Sequence, residues 1–201
     1  MRRKQARKCV LAMAVGLGVS LLSLGLLAAD GEGRYAIRGA GSQTCDAFVE
    51  AVEQDENVST YLRWVEGYIS ASNLHTEDTF EASPFVTTAD TANVLLKVCQ
   101  DNGELRVETA LAQLLNTLQP VRLTSDSEVL ELEAGQRRLQ LRRETLMAVQ
   151  RALSEGGFYR SSIDGIYGPG TRRAIEAYQE KADLEVTGLP DIQTLIPLTL
   201  E

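Results

Sequence analysis

The chain has 201 residues, 44% of them hydrophobic, with 28 acids against 20 bases and a formal net charge of −8. That length suits one ordinary domain or two small ones, and the composition excludes intrinsic disorder and collagen-like repeats. The acid excess argues against nucleic acid and anionic lipid surfaces as partners, since both would repel it.

Residues 1–8 carry Arg2, Arg3, Lys4, Arg7 and Lys8 with no acid, and residues 9–29 follow without a charge, which is the layout of an export segment. The uncharged run has 21 residues, against roughly 7–15 for a signal core and roughly 20 to span a bilayer. Ala28 and Ala29 offer small residues for cleavage, whereas Leu27 at position minus three matches an Ala-x-Ala site poorly. Removal of 1–29 as a signal peptide and its retention as an inner-membrane anchor are therefore both open. Either way the basic flank stays inside, and the rest of the chain is expected in a periplasmic or other extracytoplasmic setting. Without the five bases of that flank, 15 bases remain against 28 acids, a net charge of −13.

An exported chain meets an oxidising compartment. Of the three cysteines, Cys9 lies in the export segment, which leaves Cys45 and Cys99 as a predicted disulfide. Closing a loop of about 55 residues stabilises a fold by roughly 4 kcal/mol in the chain-entropy model. A thiol nucleophile or a metal pair is the alternative, but neither cysteine has a partner at a recognisable spacing.

Four helices are predicted between residues 35 and 118. The first opens at Thr44-Cys45-Asp46 and carries Phe48, Val49 and Val52. The second covers 58–73, with Leu62, Val65 and Ile69 at helical spacing beside Tyr61, Trp64 and Tyr68. That aromatic row could be a sugar platform, although aromatics at such spacing more often form core. A polar loop over 73–85 follows. The third helix, 87–100, is capped by Thr87 or Thr88, and the fourth, 105–118, carries one apolar stripe and stops before Pro120. This small disulfide-bonded helical domain, with Cys45-x-x-Phe48, an aromatic central helix and a second cysteine late in a later helix, weakly resembles the HdeA-type periplasmic acid-stress proteins. The resemblance implies capture of unfolding clients in acid, and residues 67–73 depart from those chaperones.

Residues 119–143 link this domain to the next. A helix over 128–143 would hold Gly135 in its interior at about 1 kcal/mol against alanine. A β-hairpin accounts for more residues: with Gly135-Gln136 as a type II′ turn, Leu132 faces Leu139, Leu130 faces Leu141 and Glu133 faces Arg138. Such a hairpin must lean on a neighbour to be stable.

Beyond it, Leu146, Val149 and Leu153 give a helix with Gly156 as its left-handed cap. Asp164-Gly165 and Gly168-Pro169 are turn pairs, and a helix with Ala174, Ile175 and Tyr178 on one face runs from about Thr171. The pattern Asp164-Gly165-x-Tyr167-Gly168-x-x-Thr171-x-x-Ala174-Ile175-x-x-Tyr178-Gln179 resembles the central signature of the three-helix peptidoglycan-binding-like domain. Val149-Gln150-x-x-Leu153, Gly156-Gly157-Phe158-Tyr159 and Leu184-x-x-Thr187-Gly188 extend it over 144–198. Asp183, where the family commonly has glycine, and Pro197, inside the final turn, depart from the pattern and are expected to shorten the last two helices. No internal repeat is visible.

The resemblance implies peptidoglycan as partner and Asp164, Tyr167, Thr171 and Arg172 as residues near the ligand, since sugar rings and peptide carboxylates call for apolar faces, hydroxyls and a cation. Each also has a purely structural reading: Asp164 fixes its turn, Tyr167 is half-buried, Thr171 caps the helix and Arg172 is solvated. Chemistry is sparsely supplied elsewhere. The lone His75 reads as a solvated side chain, because a zinc hydrolase site and a nucleophile triad each need partners absent from the sequence.

Together these features give a mainly α, non-enzymatic cell-envelope protein without metal, cofactor or catalytic residues. It would bind peptidoglycan through 144–198 and localise the 35–118 domain, which could itself meet another envelope protein. The alternatives are an acid-stress chaperone or inhibitor, and a peptidoglycan hydrolase with an unrecognised carboxylate pair.

Overall fold

The computed structural model describes residues 30, 32 and 34–200, so the predicted export segment lies outside the described residues. Ile37–Glu201 forms one compact unit. The few described residues ahead of it hold a local turn in which Asp30 Oδ1 accepts from the Glu32 and Arg34 N–H groups at 3.0 and 2.8 Å.

The helices α1 (Cys45–Glu53), α2 (Val58–His75), α3 (Thr88–Asp101) and α4 (Val107–Leu118) come first. Thr44 caps α1 by accepting from Ala47 N–H, and Thr87 caps α3 by accepting from Asp90 N–H at 3.1 Å. The Cys45–Cys99 disulfide joins the start of α1 to the end of α3, with Cα atoms 4.8 Å apart. The stripe of α4 is buried at Val107, Ala110, Leu111, Leu114 and Leu118. In the aromatic row of α2, Tyr61 is buried with its ring centre 4.9 Å from that of Phe48. Trp64 is half-buried and donates to Arg38 O at 2.7 Å, and Tyr68 reaches the buried Glu108 Oε1 at 3.1 Å. The row therefore packs as core, with the polar tips of Trp64 and Tyr68 hydrogen-bonded.

The strands β1 (Val129–Ala134) and β2 (Arg137–Arg142) form the hairpin in the expected register: Leu132 opposite Leu139, Leu130 opposite Leu141 and Glu133 opposite Arg138. Gly135 has φ +62° while Gln136 stays at negative φ, as the type II′ turn requires. Burial alternates along β1, so Leu132 and Ala134 face inward. With Leu141 they bury against Leu146 and Leu189, which is the support a lone hairpin needs.

Three helices close the chain: α5 (Arg143–Glu155), α6 (Pro169–Lys181) and α7 (Ile192–Leu200). The cap of α5 differs from expectation: Gly156 is right-handed at φ −74°, and Gly157 carries the positive φ of 80°. The reason lies in the hydrogen bonds, since Phe158 N–H reaches Leu153 O and Gly157 N–H reaches Ser154 O, the pairing in which the left-handed residue is the one after the cap. α6 starts two residues early, at Pro169, whose fixed φ suits a first helical position. Pro197 does not end α7, which continues to Leu200. A continuous buried cluster joins Phe48, Leu95 and Leu111 of the first helices to Val149, Ile175 and Leu195 of the last.

Candidate functional site

Two glutamines, Gln150 on α5 and Gln179 on α6, are fully buried at 0% exposure. A buried amide needs partners for its oxygen and both of its N–H groups. Gln150 Oε1 accepts from the N–H groups of Asp164 and Gly165 at 3.0 and 2.9 Å. Its Nε2 lies 3.1 Å from Asp164 Oδ1, Ile166 O and Thr171 Oγ1. Gln179 repeats the arrangement one loop later: Oε1 accepts from Thr187 and Gly188 N–H at 3.0 and 2.9 Å, and Nε2 faces Thr187 Oγ1, Leu189 O and Thr194 Oγ1.

The two loops are thus equivalent, Asp164-Gly165-Ile166 with Thr171 matching Thr187-Gly188-Leu189 with Thr194. Their glycines have φ of +67° and +70°. At Gly165 a Cβ would also stand 2.6 Å from Arg143 Cγ, so both conformation and space require glycine. This repeat escaped the sequence reading. The shared signal is a helix-borne glutamine followed by x-Gly-aliphatic and, five residues after the aliphatic one, a threonine.

The four predicted residues fall into two pairs. Asp164 and Thr171 meet at Gln150. Asp164 is exposed, and its Oδ1 accepts from Ile166 N–H at 2.9 Å. That backbone bond, then the one from Gln150, holds its carboxyl below the usual carboxylate range. Thr171 is 2% exposed and its hydroxyl donates to Ile166 O at 3.0 Å. Tyr167 and Arg172 meet instead at Gly188. The Tyr167 hydroxyl donates to Gly188 O at 2.6 Å, and burial raises the phenol above its ordinary value. Arg172 Nε bonds Glu176 Oε1 at 2.8 Å and stands 3.2 Å from where a Gly188 Cβ would be. Its guanidinium has further donors beyond that one, and its side chain is 48% exposed.

The equivalence also exposes a difference. Leu189 is 3% exposed because the hairpin cluster covers it, whereas its counterpart Ile166 is 59% exposed, beside the exposed Ile163. Separately, α3, β2 and the entry to α7 line a cavity of about 350 Å³ that includes Lys97, Leu139 and Ile192. Arg137 pairs with Glu185 there, with Nη1 3.2 Å from Oε2. Among the described residues no group of three or more His, Cys, Asp and Glu side chains is arranged to hold a metal, and none of their helices is long and apolar enough to cross a membrane. His75 ends α2, exposed.

Residues 142–196 match the family model of the Putative peptidoglycan binding domain. Comparison with curated proteins and with solved structures gives no match.

Proposed function

We propose that this chain is a non-enzymatic cell-envelope protein that binds peptidoglycan through its C-terminal helices and thereby localises the disulfide-bonded helices 45–118. The observation that carries this reading is the family match over 142–196, a binding domain that supports peptidoglycan as partner and the cell envelope as location. Within that domain the contact surface is the 163–172 loop, taken to include the first turn of α6. Ile163 and Ile166 supply an exposed apolar face for sugar rings, and Arg172 supplies donors for peptide carboxylates. Asp164, Tyr167 and Thr171 lie near the ligand as positioning residues, because their polar atoms are engaged in holding the two loops. The clamps preorganise the surface, which limits the ordering cost of binding.

Soluble muropeptides titrated into the labelled full-length chain test this assignment by NMR. Saturable shifts at Ile163, Ile166 and Arg172 are expected. Shifts confined to the 45–118 helices would move the binding function out of the C-terminal region.

A further inference from the structure

We propose that the cavity between residues 120–125 and α5 is a binding site for a carboxylate group, held by Arg122 and Thr145. Buried side-chain polar atoms in folded proteins almost always have a partner. Among the described residues Arg122 Nε and Thr145 Oγ1 are buried without one, and both residues line this same cavity. Thr145 is 2% exposed, in the first turn of α5. The cavity measures about 150 Å³, well above the roughly 10–15 Å³ that a single water needs, so it has room for a carboxylate on a short stem.

The donor chemistry selects the ligand. An arginine Nε–H only donates, and a threonine hydroxyl donates or accepts, so one group that completes both must be an acceptor. Arg122 Nη1 already donates to Gln119 O at 2.9 Å, which leaves the Nε–Nη2 edge, the fork that a planar carboxylate meets with two parallel bonds. Arg151, Thr124 and Ser125 add a second cation and two hydroxyls, and Glu144 is the one acid on the wall. Neither Arg122 nor Arg151 has an ion pair among the described residues. Two arginines against one glutamate leave a local single positive charge in a chain of net charge −8, which suits a monoanion. The source is either the free terminus of a wall peptide or a small free carboxylic acid.

Calorimetry on the full-length chain distinguishes the sources, using N-acetyl-D-alanyl-D-alanine, its C-terminal amide and acetate as probes. Saturable binding of the dipeptide, with the amide at least tenfold weaker (~1.4 kcal/mol), is expected if the wall peptide is the source. Equal binding of acetate assigns the site to small free acids and supports the carboxylate chemistry as well. Arg122→Gln and Thr145→Val should each weaken binding several-fold. Thr145→Val separates a ligand role from an unpartnered hydroxyl: a raised Tm with unchanged binding overturns the proposal. So does an absence of saturable heat with both carboxylates up to ~10 mM, or equal binding of acid and amide. Sacculus binding measured in parallel keeps this site distinct from the 163–172 loop, since Arg122→Gln should leave attachment through that loop in place.

Discussion

Replacing Gln150 or Gln179 with leucine keeps a buried side chain of similar size but strips two loop N–H groups of their acceptor, Asp164 and Gly165 in one case and Thr187 and Gly188 in the other. Each unsatisfied buried group costs about 1–3 kcal/mol, so either variant should lose roughly 2–6 kcal/mol in urea unfolding. A loss under about 0.5 kcal/mol would mean that water replaces the clamp at no cost. At this scale the sequence was informative about residue type and less so about role. Asp164 stood out as a turn residue, Thr171 as a cap and Tyr167 as a half-buried side chain, and the structure gives each a loop-holding bond. The glutamines entered only as members of the family pattern, without a loop-holding role, because Gln150 lies 14 residues before Asp164 and Gln179 lies 8 before Thr187. With two different spacings, no fixed period announces the repeat.

The hairpin was the most legible element, since alternation of leucines about Gly135-Gln136 leaves one register that buries a face. Helix ends were read less sharply. The cap of α5 is decided by which carbonyls the exiting N–H groups reach, and two adjacent glycines hide that choice. The cap of α6 has the same geometry: Leu184 N–H reaches Gln179 O, and Asp183 sits at φ +56°, a left-handed position more usual for glycine. Aspartate tolerates that region better than most residues, and a β-branched side chain tolerates it poorly. Asp183→Val should therefore lower stability by about 1–2 kcal/mol while Asp183→Gly is tolerated, as read from thermal unfolding. Equal Tm values for the two variants would show that the loop relaxes around the substitution.

At the scale of the whole molecule, the buried cluster passes without a break from the disulfide-bonded helices to the C-terminal ones. Sequence could not show that continuity, because periodicity reveals which face of a helix is apolar but not which neighbour covers it. One consequence is cooperativity: the Cys45→Ala/Cys99→Ala variant should lose roughly 4 kcal/mol, less any residual structure in its unfolded state, and unfold in one transition monitored at Trp64 and at the C-terminal helices alike. Two separated transitions would show that the halves are thermodynamically independent. The central claim, attachment to the wall through the 163–172 loop, is tested most directly by co-sedimenting the full-length chain with purified sacculi against a sacculus-free control. Saturable sedimentation is expected, weakened at least tenfold (~1.4 kcal/mol) by Ile166→Asp combined with Arg172→Gln at unchanged Tm. A wild-type chain that stays in the supernatant across pH and salt would contradict wall binding, and a double variant that sediments like wild type would contradict the assigned surface.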